Sequence, residues 1–197
     1  MGKLIYSMIT SLDGFVSDRD GGFGWSAPTE ESFTFINERS RSIGTYLFGR
    51  RMYETMVYWE TAHEEPDQPP FVLEFARLWQ AADKVVYSTT LDEVASGRTR
   101  IERTFDPEAV RRLVADSGPA VAVAGPDLAA QAIRAGLVDE YELYLSPAIV
   151  GGGHPFFPAD VRVDLDLRDE RRFGNGLVYL SYGVTGQGAR VDATPST

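Results

Sequence analysis

PAVAVAGPDLAAQAIRAG, residues 119–136, decides the fold class. Its first seven residues are small and apolar without alternation, the pattern of a strand covered on both faces and therefore central in a sheet. A Gly125–Pro126 pair ends the strand. Asp127 follows as the expected N-cap of a helix, LAAQAIRAG, that Gly136 stops. A buried strand feeding directly into a helix is the unit of an α/β sheet with parallel pairing.

The flanking sequence repeats that unit. KLIYSMI (3–9), TYLFG (45–49) and KVVYST (84–89) read as strands, RTRIERTF (98–105) as a shorter exposed one, and EYELYLSPAIV (140–150) as a long one. Helices are expected over 29–42, 50–56, 71–82 and 106–116. Thr29 and Asp106 are the expected caps, and Glu30 and Glu31 sit in a first turn, where carboxylates suit the helix dipole. Phe33, Ile36 and, just past the helix, Ile43 project to one side at helical spacing; Val110, Leu113 and Val114 share one face of the fourth helix. Residues 17–28 and 60–70 are polar, Gly- or Pro-punctuated loops. GGGHPFFP (151–158) reads as irregular. Strands at 161–173 and 177–184 flank Gly174–Asn175–Gly176, a hairpin signal. The expectation is one α/β domain over 1–185, with a mostly parallel central sheet, a C-terminal antiparallel hairpin and a disordered tail at 186–197.

Composition removes several chemistries. The chain has 197 residues, 19 Lys+Arg against 29 Asp+Glu for a net charge of −10, and no cysteine. Zero cysteine excludes a disulfide scaffold, a thiol nucleophile and any thiolate zinc site. The acidic balance argues against binding nucleic acid by broad phosphate neutralisation, though it leaves room for a local basic pocket. No segment approaches the ~20 apolar residues that span a bilayer, and MGKLIYSMITSLDG lacks a signal peptide's apolar run; the expectation is cytoplasmic. His63 and His154 are the only histidines and have no third ligand at a useful spacing, so no metal is expected.

Short motifs recur in a fixed order: SLDG (11–14), W-x-x-P-x-E (Trp25, Pro28, Glu30), GRRMYE (49–54), VYSTTL (86–91), VAGPDL (123–128) and SPAIVGGGHPFF (146–157). This order resembles the dihydrofolate-reductase-like superfamily. It most resembles the reductase family typified by the C-terminal domain of the bifunctional riboflavin-biosynthesis deaminase-reductase. The resemblance covers about residues 3–184 and implies a three-layer sandwich, NADPH as cofactor, a small heterocyclic substrate and a homodimer. The deaminase half of such an enzyme needs an H-x-E…P-C-x-x-C zinc site, which a chain without cysteine cannot supply.

The residues give that resemblance a physical content. Gly49, Arg50 and Arg51 put two guanidinium groups where a strand meets a helix, and the family meets the 2′-phosphate end of NADPH there; otherwise they are exposed arginines balancing nearby glutamates. Ser88 and Thr89 offer hydroxyls beside the adenosine half, or simply cap a strand. Gly125, Pro126, Asp127 and Leu128 occupy the family's diphosphate turn. Dihydrofolate reductases carry Gly–Gly with a cis peptide at that point. Proline lowers the cost of cis to about 0.5–1 kcal/mol, so the expectation is a retained cis turn, with one N–H fewer for phosphate and weaker cofactor affinity.

On the substrate side, Trp25 and Phe33 are the expected wall. Glu30, about 60° around the helix from Phe33, is the expected catalytic acid on the pocket rim, with Glu31 turned toward solvent. Asp13 of SLDG matches a second family position, or is an ordinary turn Asp. Phe156 and Phe157 either wall a planar ring or belong to the core or a dimer interface. Two readings stay open: an NADPH-dependent reductase acting on a pteridine or a ribosylaminopyrimidine phosphate, or a non-catalytic nucleotide-binding or sensing protein on the same fold.

Overall fold

The computed structural model of the chain describes residues 2–185 and 190–191. In chain order the elements are β1 (Leu4–Ser11), β2 (Phe15–Ser17), α1 (Glu30–Ser40), β3 (Ile43–Gly49), α2 (Arg50–Met56) and α3 (Pro70–Ala81). Next come β4 (Asp83–Tyr87), β5 (Thr99–Glu102), α4 (Pro107–Asp116), β6 (Ala120–Ala124) and α5 (Pro126–Arg134). The chain ends with β7 (Glu140–Ser146), β8 (His154–Pro155), β9 (Val161–Arg162), β10 (Leu165–Arg172), β11 (Val178–Val184) and β12 (Arg190–Val191).

The main sheet has eight strands in the order β10-β11-β7-β1-β6-β3-β4-β5. From β7 to β5 every pairing is parallel. β11 joins β7 antiparallel, and β10 closes the edge as the other arm of the hairpin. The strand that opens the sequence reading, β6, lies between β1 and β3, buried on both faces. Val121 and Val123 face a core shared with Leu128, Ala129, Ala132 and Ile133 of α5 and Val110 of α4. Ala122 and Ala124 face the opposite core, with Tyr53 of α2 and Phe75 and Trp79 of α3. Small side chains suit that face, because Tyr46 and Phe48 of neighbouring β3 stack there with centroids 5.5 Å apart. Helices therefore cover both faces, giving three layers. Each fully buried Val or Leu contributes roughly 1.5–3 kcal/mol to holding them together.

A third cluster joins α1 to the hairpin: Phe35 packs on Phe173, Tyr144 and Tyr179. Beside it, one helix residue reaches two buried carboxylates of β7. Arg39 donates through Nε and Nη2 to Glu142 at 2.9 and 2.6 Å and through Nη2 to Glu140 at 3.3 Å. The Tyr179 hydroxyl adds a 2.9 Å bond to Glu142, and Ser181 one of 2.9 Å to Glu140.

Several local expectations are corrected. The Gly125–Pro126 bond is trans, as are all peptide bonds among the described residues. The turn is made instead by Gly125 at φ 92°, a conformation glycine adopts without steric cost. Gly125, not Asp127, is the N-cap of α5; Pro126 opens the helix and Asp127 lies in its first turn. Thr29 does precede α1, but its hydroxyl meets the Ser32 hydroxyl at 3.3 Å rather than capping an amide. Asp106 caps α4 as expected, accepting from the Glu108 N–H at 3.0 Å. The segments expected irregular at 151–158 and loop-like from 17 contribute a small pair, β2 with β8. The expected strand 161–173 breaks into β9 and β10. In α3 the buried residues are Phe75, Ala76 and Trp79. The expected tail at 186–197 lies outside the described residues except for Arg190–Val191, which pair with Val161–Arg162.

Candidate functional site

Parallel strands all present their carboxyl ends at one edge, and a crevice forms there between helices that leave in opposite directions. β6, β3 and β4 are adjacent, with Phe48 opposite Ala124 and Gly49 opposite Tyr87, so their ends are level. The residues that follow them, Gly125–Leu128, Arg50 and Arg51, and Ser88 and Thr89, are thus gathered from three distant parts of the sequence. Close approach is built in. A Cβ on Gly125 would lie 3.0 Å from Met52 Cβ of α2, and one on Gly49 would lie 3.9 Å from Leu128 Cβ of α5.

A cavity of about 390 Å³ opens at this edge, lined by Arg50, Tyr87, Ser88, Thr89, Thr90, Arg103, Phe105 and Gln131. Among the described residues two guanidinium groups and no carboxylate line it, in a chain of net charge −10. Arg50 is held by Glu54, which accepts from its Nε at 2.7 Å, and by Thr90 Oγ1, which accepts from Nη1 at 2.8 Å. Arg103 donates through Nη1 alone, to the carbonyls of Ser88 and Leu91 at 3.1 and 2.7 Å. Its Nε–Nη2 edge makes no bond among the described residues, and that is the edge by which a guanidinium grips an oxyanion with two parallel bonds.

Sequence reasoning missed Thr90, Arg103, Phe105 and Gln131. Arg103 follows an exposed edge strand and has no motif of its own. Only the parallel pairing of β4 with β5, and the Ser88 N–H bonded to Glu102 O at 3.0 Å, bring it here. Other expected residues contribute differently from their assigned parts. Ser88 Oγ accepts from the Thr90 and Leu91 amides at 3.2 and 3.0 Å, so it shapes its own turn. The Leu128 side chain is in the core, leaving its main-chain N–H, with that of Asp127, as first-turn donors of α5. Arg51 is exposed and outside the cavity lining. Burial pushes the Tyr87 phenol up to about 12, so it stays a neutral donor beside the two arginines.

Across the same sheet edge, beyond the ends of β7 and β11, a wider groove of about 660 Å³ is lined by Thr29, Glu30, Glu31, Thr34, Phe35, Glu38, Arg171, Gly174 and Asn175. Glu30 is exposed in it. Glu31, expected in solvent, accepts from the Gly174 N–H at 3.0 Å and ties the hairpin turn to α1. Phe33 lines neither of these two cavities. Its ring packs against Trp59, Phe71 and Phe75 with centroids 5.3–5.9 Å away. Trp25 is half-buried; its carbonyl accepts from Ser146 Oγ at 3.1 Å, and its buried indole N–H has no partner among the described residues.

Asp13 is a clasp. Its carboxylate accepts from the Val150 and Gly151 amides at 3.1 and 2.8 Å, fastening the loop after β7 to the turn after β1. The Ser11 hydroxyl, then these amides, hold its carboxyl below the usual range, which suits a fixed anion rather than a proton donor. Phe156 is core, stacked on Tyr6 at 4.1 Å, while Phe157 is partly exposed against Tyr141. Among the described residues each histidine ring has one hydrogen-bond neighbour, Gln80 for His63 and Ser17 for His154. No three metal-ligating side chains converge among the described residues, and no helix among them is long and apolar enough to cross a membrane.

Known proteins share this architecture. A Bacillus subtilis (strain 168) protein of uncharacterised function, YyaP, is 29% identical over 189 residues, spanning 93% of this chain and 96% of its own. A pyrimidine reductase-like protein from Corynebacterium diphtheriae superposes with a TM-score of 0.66 at 15% identity, over 94% of this chain and 92% of that one. The diaminohydroxyphosphoribosylaminopyrimidine deaminase/5-amino-6-(5-phosphoribosylamino)uracil reductase of Thermotoga maritima superposes with a TM-score of 0.64 at 14% identity. There 93% of this chain matches only 57% of the larger one. The model of the RibD C-terminal domain family matches residues 2–179, nearly the whole chain, and the chain belongs to that family.

Proposed function

We propose that the chain is an NADPH-dependent reductase that passes hydride to a planar heterocycle of the pteridine or ribosylaminopyrimidine type. The observation that carries this reading is the basic cavity, two arginines among hydroxyls on an otherwise acidic protein. A phosphate monoester is the ligand such a donor set fits. Arg50 and Arg103 would hold the 2′-phosphate, Thr89, Thr90 and Gln131 the adenosine end, and the Asp127 and Leu128 amides the diphosphate. Pro126 and the Asp127 carboxylate weaken that last contact, so most of the cofactor's grip falls on the two arginines. When bound, the cofactor supplies the hydride; the protein's part is to bind, orient and keep water out. The family resemblance adds a homodimer and a cytoplasmic location to the proposal.

A second reading, binding without turnover, is favoured by the weakened diphosphate turn and by Glu30 standing in the open. Fluorescence titration with NADPH and NADH, followed by loss of NADPH absorbance over a panel of pterins and aminopyrimidines, separates the two. Tight, NADPH-selective binding with oxidation supports the reductase. Binding with no oxidation across the panel supports a sensor, and no NADPH binding removes both.

A further inference from the structure

The hairpin end of the sheet is patterned inside out. On the face that α1 covers, β11 and β7 present Tyr179, Ser181 and the carboxylates of Glu140 and Glu142. On the opposite face β11 presents Val178, Leu180, Tyr182 and Val184, with Leu145 of β7 opposite Val178 and Leu167 of β10 opposite Tyr182. An antiparallel sheet with one face in solvent keeps its apolar side chains on the covered face and its polar ones outside. Here the apolar face is the open one: the four side chains of β11 and Leu145 are only half-buried, and Leu167 is 47% exposed. On that side of the sheet α5 packs on β6 and β3. Val178, Leu180 and Leu167 belong to none of the three buried clusters among the described residues.

Three features identify what covers this face. Residues 186–189 and 192–197, GQGA and DATPST, carry no large apolar side chain and cannot cover it. The outer edge of β10 is blunted against strand addition, because the strand is charged along most of its length and bulges between Leu167 and Asp169. Contact therefore falls on the face rather than the edge. Finally, the charges beside the apolar strip come as one acid and one base. Glu170 lies opposite Leu180 and Arg172 opposite Val178, both exposed. Arg168 and Arg171 pair with Asp166 and Glu31, whereas the Glu170 and Arg172 side chains make no ion pair or hydrogen bond among the described residues. A patch with one charge of each sign is complementary to itself, which lets two chains of net charge −10 meet there.

We propose that this face binds a second copy of the chain. A two-fold axis crossing the strands at the level of Arg171 runs β10 of one copy antiparallel over β10 of the other. Glu170 then meets Arg172 of the partner subunit, and the symmetry makes the contact twice. Because Glu170 and Arg172 are level with Leu180 and Val178, the same axis lays Leu180 on Val178 of the partner subunit. This gives the proposed homodimer a face and does not rest on the reductase reading, since β10 and β11 lie at the far end of the sheet from β4 and β5, beside which the basic cavity opens.

Sedimentation equilibrium over about 1–100 µM measures the dimer dissociation constant of the parent, Glu170→Arg, Arg172→Glu, the double exchange and Leu180→Asn, each shown folded by circular dichroism. The parent is expected to dimerise in that range. Either single charge change sets like charges face to face twice and is expected to weaken the dimer at least about tenfold. The double exchange restores opposite charges and is expected to return the constant to within about threefold of the parent. Leu180→Asn, which leaves the charges alone, is expected to weaken the dimer about fivefold or more. A parent that stays monomeric throughout overturns the proposal. So does a dimer that none of these changes weakens, or a loss on single exchange that the double exchange fails to restore. A protein that dimerises in this way yet ignores NADPH defeats the reductase reading alone.

Discussion

Replacing Arg103 by Met isolates the free edge of one guanidinium. In the structure Arg103 spends Nη1 on two main-chain carbonyls and keeps Nε and Nη2 open, a bidentate pair. Arg50 has spent Nε on Glu54 and part of Nη1 on Thr90, and Glu54 also competes for its charge. A hydrogen bond to a charged partner is worth about 1.5–3 kcal/mol, and at an exposed site the lower end applies. Arg103→Met is therefore expected to cost about 1.5–2 kcal/mol of NADPH affinity, roughly 10–30-fold in Kd. Arg50→Met is expected to cost about 1 kcal/mol, roughly 5-fold. NADH, lacking the 2′-phosphate, should be affected less than about twofold by either change. Fluorescence titration of both nucleotides measures the ratio directly, and the NADPH constant of the parent should fall more steeply with salt than that of the variant. Met keeps the length of the arginine stem, so packing against the 88–91 turn is largely preserved. If Arg103→Met weakens NADH and NADPH equally, Arg103 only braces its turn and the phosphate assignment is wrong.

Two further outcomes follow from the geometry. Glu142→Gln removes the charge that Arg39 and Tyr179 both address and leaves Arg39 facing Glu140 alone. The expected loss is about 2–3 kcal/mol by urea unfolding, below the full penalty of a broken buried pair because Arg39 is partly solvated. Asp13, whose carboxyl is depressed in the fold, should stabilise the chain above its ordinary value of 3.8 and lose that contribution as pH falls through the lowered one. Asp13→Asn should therefore flatten the acid limb of the stability profile. It should also speed amide exchange at Val150 and Gly151 at neutral pH, and unchanged exchange there would mean that the clasp does not hold the loop.

The elements most legible in the sequence are those whose cause is local. The apolar run of β6, the Asp106 cap of α4 and the hairpin at Gly174–Gly176 each follow from side chains within a few residues of one another. Elements set by distant partners were illegible. β8 exists because Phe15 and Ser17 come beside His154 and Pro155, and the break between β9 and β10 has no glycine or proline to announce it. The buried face of α3 depends on distant partners as well. Phe71 and Leu78 are as apolar as Trp79, and only the packing of α1 and β3 selects which of them is buried.

The sequence by itself determined the parallel α/β architecture, the central strand, the excluded thiolate chemistry and the identity of the turns that end β3, β4 and β6. Those are properties of composition and periodicity, which act over one turn or one strand. Tertiary structure alone decided what these turns enclose. It brought Arg103 across from β5 to face Arg50, sent Phe33 into the core, fixed Asp13 as a clasp and left Glu30 on an acidic groove. Charge and hydrogen-bond partners across a crevice depend on which strands lie side by side, and the order β1-β6-β3-β4-β5 is a result of packing two helical layers on one sheet.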